Sequence, residues 1–320
     1  MDALKNTVAT SAAVIAASLV SGSASAAEGF IGRIQSEDEN VRCQAWKEAY
    51  MQPASVISPL SDLLLAESPG VARAADEALK VLVHSVGEDA DAPKRAEVVK
   101  ALLDLLNRRD YLTRINALRL LSLVANGDSV ASITPFLKVP QLQEEAIYCI
   151  QRIPSEESTD ALIEALEQAP RAFKLRILAA IEQRKDPAGA ANLNQYLASD
   201  DTELAIAAIK AMATCGVYPD ESLVPDYEAL SDQNKRELVD SGLRICDHLI
   251  DDGDYEQAGR ILKRVLEMPE EDIGEHFHCA AIICLSKIDH PEAKSSVQKF
   301  TEQGSFIVRD TAKKALASMN

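Results

Sequence analysis

The sequence predicts an all-α chain: a right-handed α-α superhelix, or solenoid, of about nine stacked antiparallel helical hairpins. Three observations carry that prediction. Of the 320 residues 47% are hydrophobic and 26% charged, yet aromatics are only 4% and Trp46 is the single Trp. This balance builds a large core from small and aliphatic side chains and disfavours a β-sandwich. The stretches "SEDENVRCQAWKEA" (36–49) and "SFIVRDTAKKALAS" (305–318), near opposite ends of the chain, place an aliphatic residue, an Arg and an Ala in the same order. That arrangement returns along the chain every 33 residues or so, about the spacing of a helical repeat.

With the aliphatic residue that opens each helix as position 0, a small residue stands at +4. The pairs are Val41/Ala45, Val71/Ala75, Thr113/Ala117, Leu142/Ala146, Leu175/Ala179, Leu204/Ala208, Leu238/Gly242, Phe277/Ala281 and Val308/Ala312. Leu238 and Phe277 open the weakest copies. Offsets +7 and +8 extend the stripe, as in Ala78/Leu79, Leu120/Leu121, Cys149/Ile150 and Ala211/Met212. These positions share one face of a 3.6-residue helix, and the small residue lets a neighbouring backbone approach. At offset −3, Asp38, Ser68, Asp110, Asp201 and Ser305 are expected N-caps, with Pro69 at a first helical position where it loses no hydrogen bond.

Upstream of these helices, segments such as "VISPLSDLLLAE", "RAEVVKALLDLLN", "TDALIEALEQA", "GAANLNQYLAS" and "YEQAGRILKRVLE" carry apolar residues at spacings of three and four. Each predicts a first helix for its repeat. One hairpin cannot bury both apolar faces, whereas a stack of them shares a continuous core. Two long spacings interrupt the series. One holds the acidic, Pro-bearing segment Ser85–Arg95, expected as a loop; the other, from Leu204 to Phe277, contains the breaks "CGVYPDES" and "EMPEED". Insertions of this kind collect on functional faces.

The run Asp-x-x-Val-Arg-x-x-Ala, clearest at Asp38–Ala45, Asp110–Ala117 (with Thr113 in the Val position) and Ser305–Ala312, resembles the second helix of HEAT repeats, armadillo-type helical units, and especially the short units of phycobilin lyases. The resemblance covers residues 28–214 and 290–320. Between them, over 220–289, the copies diverge, and residues 235–267 look more like a tetratricopeptide helix pair. The resemblance implies a binding scaffold and is not specific for any ligand. Deoxyhypusine hydroxylases, which are also HEAT-like, carry His-Glu dipeptides that ligate iron; none of His84, His248, His276, His278 or His290 is followed by Glu.

Fifty acids against 33 bases give a net charge of −17, a field that repels phosphate backbones and anionic membranes. Nucleic acid is therefore not an expected partner. Residues 1–26 read differently from the rest. A short segment with Lys5, the uncharged run "VATSAAVIAASLVS" and the small-residue site Ala24-Ser25-Ala26 resemble a secretory signal cleaved before Ala27. The expectation is an exported, periplasmic or secreted protein, with a cytoplasmic one as the alternative, and a single solenoid over 27–320. No other window approaches the ~18 apolar residues of a membrane span.

No catalytic motif stands out: there is no phosphate-cradling Gly loop and no nucleophile elbow. The paired acids Glu156-Glu157 and Glu270-Glu271-Asp272 sit where helices begin and acids favour the positive end. Cys149, Cys215, Cys246 and Cys284 fall on the buried stripe and read as small core residues, with one bridge between adjacent repeats as the alternative. In "GEHFHCAAIIC", His276 and His278 project about 200° apart on a helix and cannot share an ion. His278 occupies the +1 place of Arg42, Arg114, Arg176 and Arg309 and reads as a variant of that polar position. No cofactor or metal is expected.

One patch runs against the acidic field: Arg108, Arg109, Arg114 and Arg119 with Tyr111 among them. Its plain reading is a repeat-position Arg and a solvated turn. Its functional reading is an anchor for an acidic partner, because Arg and Tyr concentrate binding energy at interfaces. The function expected is a non-enzymatic protein–protein interaction scaffold whose partner lies along a concave solenoid surface. A cofactor-handling or enzyme accessory protein resembling the bilin lyases, or a structural spacer, are the alternatives.

Overall fold

The structure, a computed structural model, describes residues 26–87 and 93–319. The expected leader, but for Ala26, and the centre of the acidic segment at 88–92 lie outside the described residues. Every regular element among the described residues is helical, which makes the fold an all-α helical-repeat solenoid. The chain divides into two compact units, Met1–Ala161 and Leu162–Asn320.

The first unit holds α1 (26–34), α2 (Glu39–Lys47), α3 (Ile57–Leu63), α4 (Pro69–Gly87), α5 (Pro93–Leu105), α6 (Tyr111–Val124), α7 (Val130–Ile133) and α8 (Gln143–Arg152). Helix α9 (Glu156–Gln168) contains the division. The second helices of successive repeats stack in order, α2 on α4, α4 on α6 and α6 on α8. Their stripes are the core: Val71, Ala75, Ala78 and Leu79; Thr113, Ala117, Leu120 and Leu121; Leu142, Ala146, Cys149 and Ile150 are all buried. Ala45 is fully buried, whereas Val41 is only half-buried.

The Asp and Arg of the repeat divide the work at the turn. Asp38 accepts a hydrogen bond from the Asn40 amide at 2.8 Å, and Asp110 accepts from that of Thr113 at 2.7 Å. Arg42 Nη1 donates to the main-chain oxygens of Ser36 and Glu37 at 2.7 and 2.9 Å, and Arg114 Nε donates to that of Arg108. The carboxylate thus takes a free amide at the start of the second helix, while the guanidinium takes carbonyls exposed in the turn before it. The guanidinium of Arg42 also lies against Gly70 of the next repeat, where an added Cβ would stand 2.8 Å from it.

The second unit continues with α10 (Arg171–Arg184), α11 (Pro187–Ala190), α12 (Asn194–Leu197), α13 (Thr202–Thr214), α14 (Asp232–Asp251), α15 (Tyr255–Glu267), α16 (Glu270–Ile273), α17 (Glu275–Ser286), α18 (Pro291–Lys299) and α19 (Phe306–Ser318). Here α10, α13, α14, α17 and α19 stack in order. Leu249, Ala258, Leu262, Ala281, Ile282, Val297, Val308 and Ala312 form a shared core. Asp201 and Ser305 cap α13 and α19 as expected, through the amides of Leu204 and Val308.

Several expectations require correction. In the fifth copy Leu175 and Ala179 are half-buried; the core residues are Phe173, Ile177, Ala180 and Ile181. The stripe therefore starts two residues earlier, and the spacings to Leu142 and Leu204 both become 31. Helix α10 carries apolar residues on both registers, so periodicity could not choose between them. Position 0 of the fourth copy, Leu142, is buried but is the residue before α8 rather than inside it. "GAANLNQYLAS" splits into α11 and α12. Ser85–Gly87 closes α4 and Pro93–Arg95 opens α5, so both ends of the expected loop are helical.

The largest departure is in the seventh copy, which has no first helix. Between α13 and α14 the chain makes two 3-10 turns, Glu221–Leu223 and Tyr227–Ala229, capped by Asp220 and Asp226. Pro219 and Pro225 flank these turns and, lacking amide hydrogens, prevent a continuous helix there. The segment runs from α12 towards α15: Asn194 Oδ1 accepts from the Asp220 amide at 3.0 Å, and Gln257 Nε2 donates to Glu221 at 3.3 Å.

Candidate functional site

The arginine patch forms on the first unit, and its members differ in what they are free to do. Arg108 Nη2 donates to Ser58 Oγ at 2.7 Å and Nη1 stands 3.4 Å from Asp62. Arg114 holds the turn and lies over the rings of Tyr111 and Phe136, 5.9 Å from each centroid. Arg119 pairs with Glu145 of the next second helix at 2.8 Å. Arg109 is exposed and has no charged partner among the described residues. Beside it Tyr111 and Leu112 keep 46% and 48% of their surface in solvent. The solvent-facing edge is therefore Arg109, Tyr111 and Leu112, and Leu112 was not singled out from sequence.

The missing first helix of the seventh repeat leaves a cleft of about 680 Å³ in the second unit. Ile209 of α13, Leu238, Gly242 and Ile245 of α14, and Ile261 and Val265 of α15 line it under the segment that carries Pro219, Pro225 and Tyr227. This explains why Leu238 and Gly242, expected in the core, are half-buried. Gly242 leaves the floor open: a Cβ there would meet only Ile261 Cγ2, at 3.6 Å.

Tyr227 is the polar group of the cleft whose hydroxyl is buried. Its hydroxyl oxygen is out of solvent and has no hydrogen-bond partner among the described residues. Burial pushes the phenol above its ordinary value; Lys235, whose Nζ lies 5.0 Å from the ring centroid, opposes this. Lys235 also stands 3.7 Å from Glu228. Arg264, Glu267 and Asp272 complete the polar lining. The sequence signalled this place only indirectly, through the break "CGVYPDES" and the weak copy at Leu238.

The six cysteines are free, with Cys149, Cys215, Cys246 and Cys284 buried and Cys43 and Cys279 half-buried. Burial pushes the thiols of Cys149 and Cys246 up to about 12 and those of Cys215 and Cys284 up to about 11. His276 is exposed, while His278 is buried and its Nε2 meets the Met268 carbonyl at 3.0 Å. His278, expected as a variant of the +1 polar position, is thus buried, and its acceptor lies ten residues back, against five or six for Arg42, Arg114 and Arg309. No group of three metal-ligating residues occurs among the described residues, and none of their helices is long and apolar enough to cross a membrane.

These helices and turns define the class as helical-repeat solenoids. No protein-family model matches the sequence, and no curated protein does. Among solved structures, the chain is similar to the karyopherin Kap121p bound to the extreme C-terminus of the protein phosphatase Cdc14p, at 9% identity over 92% of this chain and 38% of that one, with a TM-score of 0.53. It is similar to Kap121p bound to Pho4p at 11% identity, 91% and 37% coverage and a TM-score of 0.52. Importin beta matches at 13% identity, 92% and 48% coverage and a TM-score of 0.54. The chain spans less than half the length of each, and the likeness is one of fold.

Proposed function

We propose that this protein is a non-enzymatic scaffold that binds a protein partner through the exposed side of its second helices. The observation that carries the reading is the fold shared with Kap121p, whose structures include complexes with the extreme C-terminus of Cdc14p and with Pho4p. On the first unit the contact falls to Arg109, Tyr111 and Leu112, with Arg119 beside them and Arg108 and Arg114 holding the edge in shape. An exposed guanidinium beside an aromatic ring suits an acidic segment of the partner, and nucleic acid is disfavoured by the −17 charge. The hairpin of α14 and α15, with Gly242 close to Ile261, supports a tetratricopeptide-like reading of 235–267 within the HEAT-like series.

We also propose export. The segment over 1–26 has the pattern of a leader, and four of the six thiols are buried with raised pKa values, which leaves them little thiolate to oxidise outside the cytoplasm. Affinity capture from the native extract, with wild type and with Arg108→Glu/Arg109→Glu, tests the scaffold. The partner recovered with wild type is lost with the double variant; equal recovery overturns the patch. Amino-terminal sequencing of the same sample reads Ala27 if the leader is cleaved as expected.

A further inference from the structure

We propose that the cleft of the seventh repeat is a binding site for an uncharged, hydrophobic small molecule that offers one hydrogen-bond acceptor to the Tyr227 hydroxyl. This goes beyond the scaffold reading and does not depend on it. The volume, about 680 Å³, lies inside the range of small-molecule sites, roughly 300–1,000 Å³. Its walls are aliphatic side chains from three helices, Ile209, Leu238, Ile245, Ile261 and Val265 among them. Water over these aliphatic side chains, away from the charged rim, finds few polar partners, so an apolar body that displaces it gains the free energy of burial.

The segment roofing the cleft cannot close it. Where repeats such as those of α5 and α15 use an amphipathic first helix, this one has two 3-10 turns with Pro219 and Pro225 beside them, and Gly242 sends no side chain up from the floor. The hydroxyl of Tyr227 is the one buried polar side-chain atom of this lining that lacks a partner among the described residues. Leaving such a group unpaired is costly; because the oxygen is covered in the empty cleft, the Tyr227 side chain has to turn for a ligand oxygen or nitrogen to accept from it, and that pairing removes the cost.

Charge decides against an ionic ligand. Lys235 and Arg264 face four acids in the lining, Glu221, Glu228, Glu267 and Asp272, and Lys235 is already engaged with Glu228 and the Tyr227 ring. A carboxylate head would meet more acids than bases, and an ammonium would have to displace Lys235 from over the Tyr227 ring. A neutral head meets neither obstacle.

Nile red, a neutral aromatic dye with a carbonyl acceptor, is the probe. Titrated onto the full chain, it should bind at one saturable site with blue-shifted emission. Gly242→Leu fills the floor and should weaken binding at least about tenfold, with helical content and melting temperature unchanged or raised. Ile261→Phe, which thickens a wall, is the second filling variant. Tyr227→Phe should keep the stoichiometry and weaken binding about three- to tenfold, the worth of one hydrogen bond. Absence of saturable binding, or unchanged affinity in a folded filling variant, overturns the proposal. Tighter binding of the anionic 8-anilinonaphthalene-1-sulfonate or of a cationic dansyl amine overturns the neutral chemistry. Arg108→Glu/Arg109→Glu should bind the dye normally, so failure of the scaffold reading and failure of this one are read separately.

Discussion

The imidazole Nε2 of His278 lies 3.0 Å from the main-chain oxygen of Met268, at the repeat position from which Arg42, Arg114 and Arg309 reach back to their own turns. The acceptor of His278 lies ten residues back at the end of α15, where the arginines reach only five or six, and the buried ring meets Phe300 edge-on at 5.8 Å. His278→Leu should cost about 1–3 kcal/mol, because it leaves a carbonyl unpaired, and His278→Gln should recover part of that. Urea denaturation of the three proteins checks this.

The capping carboxylates set the acid limit of stability. Partial burial pushes Asp110 up, but hydrogen bonds from Thr113 outweigh it and hold the carboxyl below its ordinary 3.8; the Arg171 hydrogen bond holds Asp201 low. Each folded-state value lies below the unfolded one, so the contribution is complete above the ordinary value and lost as pH falls through the folded value. Urea midpoints should be level from neutrality to about pH 5 and fall below about pH 4. Asp110→Asn, which keeps a capping oxygen but cannot titrate, should flatten that fall. Asp110→Ala should cost about 1 kcal/mol at neutral pH.

The register of the fifth repeat can be read from paired truncations. Ile177 is fully buried and Leu175 half-buried. Ile177→Ala should cost about 2–5 kcal/mol and Leu175→Ala much less. Equal costs would restore the register expected from the sequence.

Thiol chemistry should divide the cysteines by burial. At pH 8 an aromatic disulfide reagent should modify Cys43 and Cys279, the two half-buried thiols, while Cys149, Cys215, Cys246 and Cys284 react only in denaturant. Mass spectrometry of the labelled peptides gives the answer directly.

Two glycines should respond in opposite directions. Gly242 is inside α14 with room for a Cβ, so Gly242→Ala should stabilise by up to about 1 kcal/mol. Gly304 has φ 86° and a Cβ there would stand 2.9 Å from Val308 and 3.0 Å from Glu270, so Gly304→Ala should destabilise. Melting curves of the two variants are the check.

The order of the elements was legible in the residues because a helix that buries one stripe must repeat small and aliphatic residues at 0, +4, +7 and +8. The caps at Asp38, Asp110, Asp201 and Ser305 and the four buried cysteines were legible for the same local reason, whereas the burial of His278 against Met268 was not. Between α13 and α14 the pattern announced a break, through "CGVYPDES" and the weak copy at Leu238, but not that α14 would lack a first-helix partner. A break marked by Pro219 and Pro225 says that a helix stops; it does not say what fills the place.

The sequence by itself therefore determined the class of fold and the chemistry of each turn, since helix propensity, capping and periodicity act over fewer than ten residues. Only the tertiary structure decided the register of α10, the pairing of Arg108 and Arg119 that leaves Arg109 exposed, and the cleft around Tyr227. Each depends on which of several apolar or charged neighbours, distant in the chain, packs or pairs with the lowest free energy at a given surface, and a linear pattern does not encode that competition.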